Sequence, residues 1–113
     1  MDCIFCKIAR KEIPAHIAFE NERVIAFHDL FPQAPIHLLV IPKAHYDSLN
    51  DVPASDAALL GELISVATAI AREQGVADDG YRVVMNCNKD GGQSVGHIHL
   101  HLLGGRPLSW PPG

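Results

Sequence analysis

His97-Ile98-His99-Leu100-His101-Leu102-Leu103 alternates imidazole and aliphatic side chains. A β-strand sends successive side chains to opposite faces. The spacing therefore predicts a strand that lines up His97, His99 and His101 on one face and packs Ile98, Leu100 and Leu102 on the other. On a helix the same residues would scatter round the axis. A row of imidazoles suits two chemistries. One is metal binding through neutral ring nitrogens. The other is catalysis in which one histidine attacks and a neighbour handles protons.

What precedes the row narrows the choice. Gly91-Gly92-Gln93-Ser94 combines small residues, whose backbone N–H groups can approach an anion closely, with a hydroxyl donor. By itself, Asp90-Gly91-Gly92 is equally good turn chemistry. A phosphate on this loop would rest against His99 and His101, which points to phosphoryl or nucleotidyl transfer. A neutral imidazole is a good nucleophile toward phosphorus when its other nitrogen donates to a fixed acceptor. Loop amides and a second imidazole can meet the charge on the phosphate oxygens, and a histidine or serine can protonate the leaving group. Asp29 closes Phe27-His28-Asp29-Leu30. A carboxylate there can accept from both hydroxyls of a ribose, or it is a solvated strand end. His37, inside an apolar strand, is either a satisfied core histidine or a support for the row.

The remaining chain supplies a frame for these residues. Residues 4–13 read as a short helix with Phe5, Ile8 and Ala9 on one face, ended by Pro14. Residues 16–20 and 23–28 read as a hairpin turning at Asn21-Glu22. Residues 29–35 form a loop with two prolines, and residues 37–41 a strongly apolar strand stopped by Pro42. Ser55 or Asp56 can cap the next helix, where Leu59, Leu63, Val66 and Ile70 recur at helical spacing until Gly75. Residues 81–88 read as a strand, with Cys87 in the core, and the tail from Gly105 is too rich in proline for regular structure. The expected architecture is one α+β domain over residues 1–113: a largely antiparallel five-stranded sheet with one long and one short helix.

Composition excludes some classes. At 113 residues with 48% apolar and 19% charged side chains, the chain suits a globular domain with one modest core. A net charge of −4 argues against a nucleic-acid binder, which needs a basic face. No apolar run approaches membrane-spanning length, and Met1-Asp2-Cys3 lacks a basic-then-apolar signal, so no membrane association is expected. Cys3-Ile4-Phe5-Cys6 is too tight for an ordinary disulfide framework, and with Cys87 the count is odd. Both point to the reducing cytoplasm.

Taken together the chain resembles the histidine-triad (HIT) family, whose signature reads here Gln93-Ser94-Val95-Gly96-His97-Ile98-His99-Leu100-His101-Leu102-Leu103. Ile4-Phe5-Cys6-Lys7-Ile8, Phe27-His28-Asp29, Pro32-Gln33-Ala34-Pro35 and Trp110-Pro111-Pro112-Gly113 resemble its Hint branch. The resemblance implies a homodimer whose sheets join edge to edge, and a purine nucleoside phosphoramidase that hydrolyses the P–N bond of adenosine 5′-phosphoramidates. It implies His99 as the nucleophile that forms a nucleotidyl-histidine, His101 and Ser94 as contacts to the phosphate and leaving group, and His37 as their support. Asp29 would hold the ribose beside the Leu30 backbone. Asn86, Gly92 and Gln93 would contribute to the nucleotide pocket, and Phe5, Ile8, Phe27 and Leu30 would flank the base. The tail would reach toward the partner's site, bringing Trp110 near the leaving group.

Cys3 and Cys6 depart from the animal members. Cys-x-x-Cys spacing suits two thiolates on one zinc. Some microbial members use such a pair with two histidines, which here would be His45 and His97. That zinc would be structural, and catalysis would need no cofactor. Two other readings stand beside this one. A zinc-dependent hydrolase would place the metal on His97, His99 and His101 with an open water position. A non-catalytic nucleotide-binding or interaction module would use the same pocket without turnover.

Overall fold

The structure, a computed structural model, describes residues 3–113. Met1 and Asp2, read above as a start without a signal, lie outside the described residues. Helix α1 (Ile4–Ala9) leads into strands β1 (Ile17–Glu20), β2 (Val24–His28) and β3 (Ile36–Pro42). Two single-turn helices, Leu49–Asp51 and Ala54–Asp56, precede the long helix α2 (Ala57–Glu73). Strand β4 (Tyr81–Val84), a short helix α3 (Asn88–Gly91) and strand β5 (Leu100–Gly104) complete the order. The five strands form one antiparallel sheet in the order β1-β2-β3-β5-β4. This is the α+β architecture the hydrophobic pattern implied.

Period-two alternation divides the core between the two faces of that sheet. Val24, Ala26, Leu38, Val40, Leu100 and Leu102 meet Leu59, Leu63, Val66 and Ile70 of α2. Ile25, Phe27, Leu39 and Ile41 meet Phe5 and Ile8 of α1 on the other face. Fully buried aliphatic side chains such as Leu38, Ile41 and Leu63 each contribute about 1.5–3 kcal/mol. By length and composition the segment Ala54–Glu73 is apolar enough to cross a bilayer, contrary to the expectation that no run comes close. Its apolar stripe instead seats on the sheet.

Several boundaries move for local reasons. Helix α1 stops at Ala9: the Arg10 N–H makes the last bond to the Cys6 carbonyl, the Lys11 N–H closes on the Ile8 carbonyl, and Lys11 turns left-handed at φ 63°. Asn21 Oδ1 accepts from the Arg23 and Val24 amides, so Arg23 belongs to the turn. Asp56 stands at the N-cap of α2 but does not cap it; its carboxylate accepts from Arg23 and from the Tyr46 hydroxyl, each at 2.7 Å. Strand β4 ends at Val84, four residues early. Ile98 N–H bonds the Tyr46 carbonyl at 2.9 Å, which draws residues 97–99 off the ladder and leaves residues 85–87 without a partner strand. Cys87 is therefore a half-buried residue before α3, not a core strand position.

Candidate active site

The histidine row divides between two sites. Only His101 lies in β5; His97 and His99 occupy the approach to it, yet alternation persists, with Ile98 and Leu100 packed toward α2. His97 is fully buried and turns its Nδ1 toward Cys3 Sγ (3.3 Å), Cys6 Sγ (3.6 Å) and His45 Nδ1 (3.1 Å). His45 Nδ1 lies 3.5 Å from Cys3 Sγ and 3.2 Å from Cys6 Sγ. A tetrahedral zinc with bonds of about 2.3 Å to sulfur and 2.0–2.1 Å to nitrogen needs ligand atoms roughly 3.3–3.8 Å apart. The four donors come within a few tenths of an ångström of that frame.

The chemistry of the donor set agrees. His97 Nε2–H donates to the Pro42 carbonyl at 2.8 Å and His45 Nε2–H to Asp47 Oδ1 at 2.5 Å. Both rings thus hold their hydrogen on the far nitrogen, and two Nδ1 lone pairs face each other and two thiols. Such outer hydrogen bonds are what orient metal-binding imidazoles. Asp47 first, and Cys3 after it, hold the His45 ring above the ordinary imidazole pKa against burial. Helix α1 is anchored in this cluster, since Cys3 is its N-cap and its Sγ accepts from the Cys6 amide at 3.1 Å.

His99 is also buried, but faces elsewhere. Its Nδ1–H donates to the His97 carbonyl at 2.8 Å, which fixes the tautomer and leaves the Nε2 lone pair open to a cavity of about 280 Å³. Phe5 stands edge-on to this ring at 5.1 Å between centroids and edge-on to Phe27 at 5.6 Å. The cavity is bounded by α1 (Ile4, Phe5, Ile8), by Phe27 to Phe31, and by Ser94, Val95, His99 and His101. A wider cleft of about 450 Å³ lies between the Gly75–Gly80 turn and Arg106. Among its lining residues are no imidazole, thiol or hydroxyl; Asp79 and Arg106 are its charged groups.

A chain of imidazoles backs the cavity. The Gln33 amide donates to His37 Nδ1 at 3.0 Å, so His37 carries its hydrogen on Nε2. That hydrogen goes to His101 Nδ1 at 2.9 Å, so His101 in turn presents Nε2–H. His37 and His101 are placed for this by register: His101 pairs with Leu39, two residues from His37 on the same face. Asp29 Oδ2 lies 3.4 Å from His37 Nε2, and its Oδ1 accepts from the Phe31 amide at 2.8 Å. Burial, then the neighbouring charges of His99 and His37, push His101 down to about 4. Burial also lowers His37, with Asp29 opposing. Both rings are neutral at physiological pH. The three histidines of the row thus point at three different partners, and no single metal can collect them.

Most of the residues expected at the site converge on this cavity: Phe5, Ile8, Phe27, Asp29, Leu30, Ser94, His99 and His101 line it, and His37 stands behind. Asn86, Gly92 and Gln93 do not line it. The Gly92 N–H closes α3 on Lys89 and the Gln93 N–H bonds the Asn88 carbonyl, so neither is free for an anion. The Gln93 side chain ties the Asn88 amide to the Asp47 and Val95 carbonyls. Trp110 is 80% exposed, clear of the cavity within its own chain.

Sequence reasoning passed over the stacked pair His16 and His28, 4.2 Å apart at the cavity wall. The hairpin register could have found it, because pairing Ile17 with Phe27 sets His16 opposite His28. Burial, and then the His16 charge, lowers His28.

A HIT domain family model matches residues 10–108. The chain belongs to the HIT family. Among curated HIT relatives, the purine nucleoside phosphoramidase of Escherichia coli K12 is 52% identical over 107 residues, which cover 95% of this chain and 90% of that protein. The crystal structure of a HIT family hydrolase from Legionella pneumophila superimposes with a TM-score of 0.97 at 53% identity, covering 99% of this chain and 100% of that one. A histidine triad protein from Clostridium difficile gives 0.94 at 50% identity, covering 96% and 95%.

Proposed function

We propose that this HIT protein is a purine nucleoside phosphoramidase that cleaves the P–N bond of adenosine 5′-phosphoramidates through a nucleotidyl-histidine. The observation that carries the reading is the His99 Nδ1–H bond to the His97 carbonyl, which holds the other nitrogen unprotonated and facing the cavity. His99 Nε2 attacks phosphorus and the P–N bond breaks. The departing amine takes a proton from His101 Nε2–H or the Ser94 hydroxyl. Water then attacks phosphorus, the bond from phosphorus to His99 Nε2 breaks, one water proton returns to the group that protonated the amine, and AMP leaves. Preset donors lower the cost of the charge that builds on the phosphate oxygens. Asp29 has lone pairs left for the ribose hydroxyls, and Phe5, Ile8, Phe27 and Leu30 enclose the base.

Cys3, Cys6, His45 and His97 hold a structural zinc in this reading, pinning α1 against the sheet. No catalytic step passes through it. Cys3, Cys6 and Cys87, which form no disulfide with one another, suit the cytoplasm. The free edge of β4, with Val83 39% exposed, suits a homodimer joined edge to edge.

The test is AMP release from adenosine 5′-phosphoramidate with and without a strong chelator. Release that survives chelation is expected. Loss of release from a chelated protein that stays folded would transfer the chemistry to a metal. A protein that binds AMP and turns over no phosphoramidate would be a binding module.

A further inference from the structure

Residues 29–35 carry the amide that sets the His37 tautomer, yet this loop has little backbone structure of its own. Pro32 and Pro35 have no N–H to contribute. The Phe31 amide turns back to Asp29 Oδ1, and the Gln33 side chain donates to the Phe31 carbonyl at 3.0 Å. What fixes the loop from outside is Arg106. Its guanidinium puts two donors on the Gln33 carbonyl, Nη2 at 2.9 Å and Nε at 3.3 Å, and a third on its neighbour's Pro107 carbonyl at 3.0 Å. The contact is close because residue 105 is glycine: with φ +91°, a Cβ there would meet Pro35 Cβ at 2.9 Å.

We propose that Arg106 is a positioning residue for the proton path, acting through the backbone of Gln33, His37 and His101. The path crosses one Cα, that of Gln33, whose carbonyl and N–H lie in adjacent peptide units and move together only while the residue's backbone torsions are held. Arg106 holds the Gln33 carbonyl, the Gln33 N–H donates to His37 Nδ1, and His37 Nε2–H donates to His101 Nδ1. Only in that arrangement does His101 present Nε2–H to the cavity. If the Gln33 amide swings away, His37 is free to place its hydrogen on Nδ1. Its bare Nε2 then faces His101, whose own hydrogen must move to Nδ1 to meet it. The donor that serves the leaving group is lost. The guanidinium is a rigid fork, which suits it to hold a carbonyl in place. Arg106 is exposed, at the far end of this path from the nucleophile, and touches none of the groups that line the cavity.

The inference rests on the phosphoramidase reading for its consequence, but its geometry can be tested without turnover. Nitrogen-15 NMR of the histidine rings reports directly which nitrogen of His37 carries the hydrogen. In the wild-type protein His37 shows Nε2–H. Arg106→Met keeps the aliphatic stem and removes all donors, and is expected to shift His37 toward a mixture of both tautomers. It is also expected to lower kcat roughly tenfold with KM nearly unchanged, because misplacement of a reacting group acts on the chemical step. Arg82→Met is the control. Arg82 holds the Leu108 and Ser109 carbonyls of the same tail without touching Gln33. It is expected to leave the His37 signals as they are. An unchanged His37 signature in Arg106→Met overturns the proposal whatever happens to kcat. So does the same change in Arg82→Met, which would mark general loosening of the tail. A wild type without turnover would instead defeat the phosphoramidase reading and leave the tautomer result standing.

Discussion

Acidification from pH 7 to pH 4 probes the imidazole pair behind the cavity. His101 is held at about 4 in the fold, first by burial and then by the charges of His99 and His37. In the unfolded chain an imidazole titrates near 6.5. Between those two values the unfolded state binds more protons than the native one, so stability rises with pH across the window and falls as acid is added. Above about pH 6.5 both states are neutral at this site and nothing is lost; below about pH 4 both are charged and the loss stops growing. The gap is worth about 3 kcal/mol, at about 1.4 kcal/mol for each tenfold change in proton affinity. That is a large part of the 5–15 kcal/mol typical of a small domain. The hydrogen bond from His37 explains why the charged form is resisted: a protonated His101 would aim a second N–H at the N–H of His37.

The assay is urea unfolding followed by circular dichroism at half-unit steps of pH and one protein concentration. His101→Asn is the comparison, because its side-chain oxygen can still accept from His37 but cannot titrate. Wild type should lose about 3 kcal/mol more than the variant between pH 6.5 and pH 4. Parallel curves for the two proteins across that window would refute the reasoning.

His99→Gly should lower AMP release by at least about a thousandfold while AMP binding and the circular dichroism spectrum persist; a variant with a rate near wild type would remove His99 as nucleophile. Cys6→Ser should purify without zinc by elemental analysis and melt at a lower temperature than wild type. Its AMP affinity should weaken because α1, which carries Phe5 and Ile8, loses its anchor. Gly105→Ala should cost about 1–3 kcal/mol in urea unfolding, since it combines a left-handed backbone with a contact of 2.9 Å to Pro35.

Strand β5 was legible because its alternation is strict. Even where residues 97–99 leave the ladder, the backbone stays extended enough to keep Ile98 with Leu100 and Leu102 on the α2 face. The long helix was legible because one buried face imposes one period, whereas β2 and β3, buried on both faces, were legible as apolar runs bounded by turn residues. The loop before the histidine row was ambiguous in sequence. Gly91-Gly92 looks alike whether its amides are free or closed on a helical turn, and Asn88, at φ 59°, starts such a turn. Which amides remain open depends on Gln93 reaching Asp47, a contact across 46 residues that no local pattern encodes. The same holds for Arg106 and Gln33, 73 residues apart in sequence. The cysteine spacing pointed to a metal, but only the fold brings His45 and His97 to the thiols.

Helix α1 gives both Cys3 and Cys6 to one cluster and Phe5 and Ile8 to the wall of the cavity. One side of the binding site therefore hangs from the thiols by a single turn of helix. Two batches of this protein, identical in mass and sequence, would differ in grip on their ligand if they left the cell with different amounts of metal. A mixed batch would titrate as two populations and pass for negative cooperativity. Metal content per chain belongs beside every affinity measured on it.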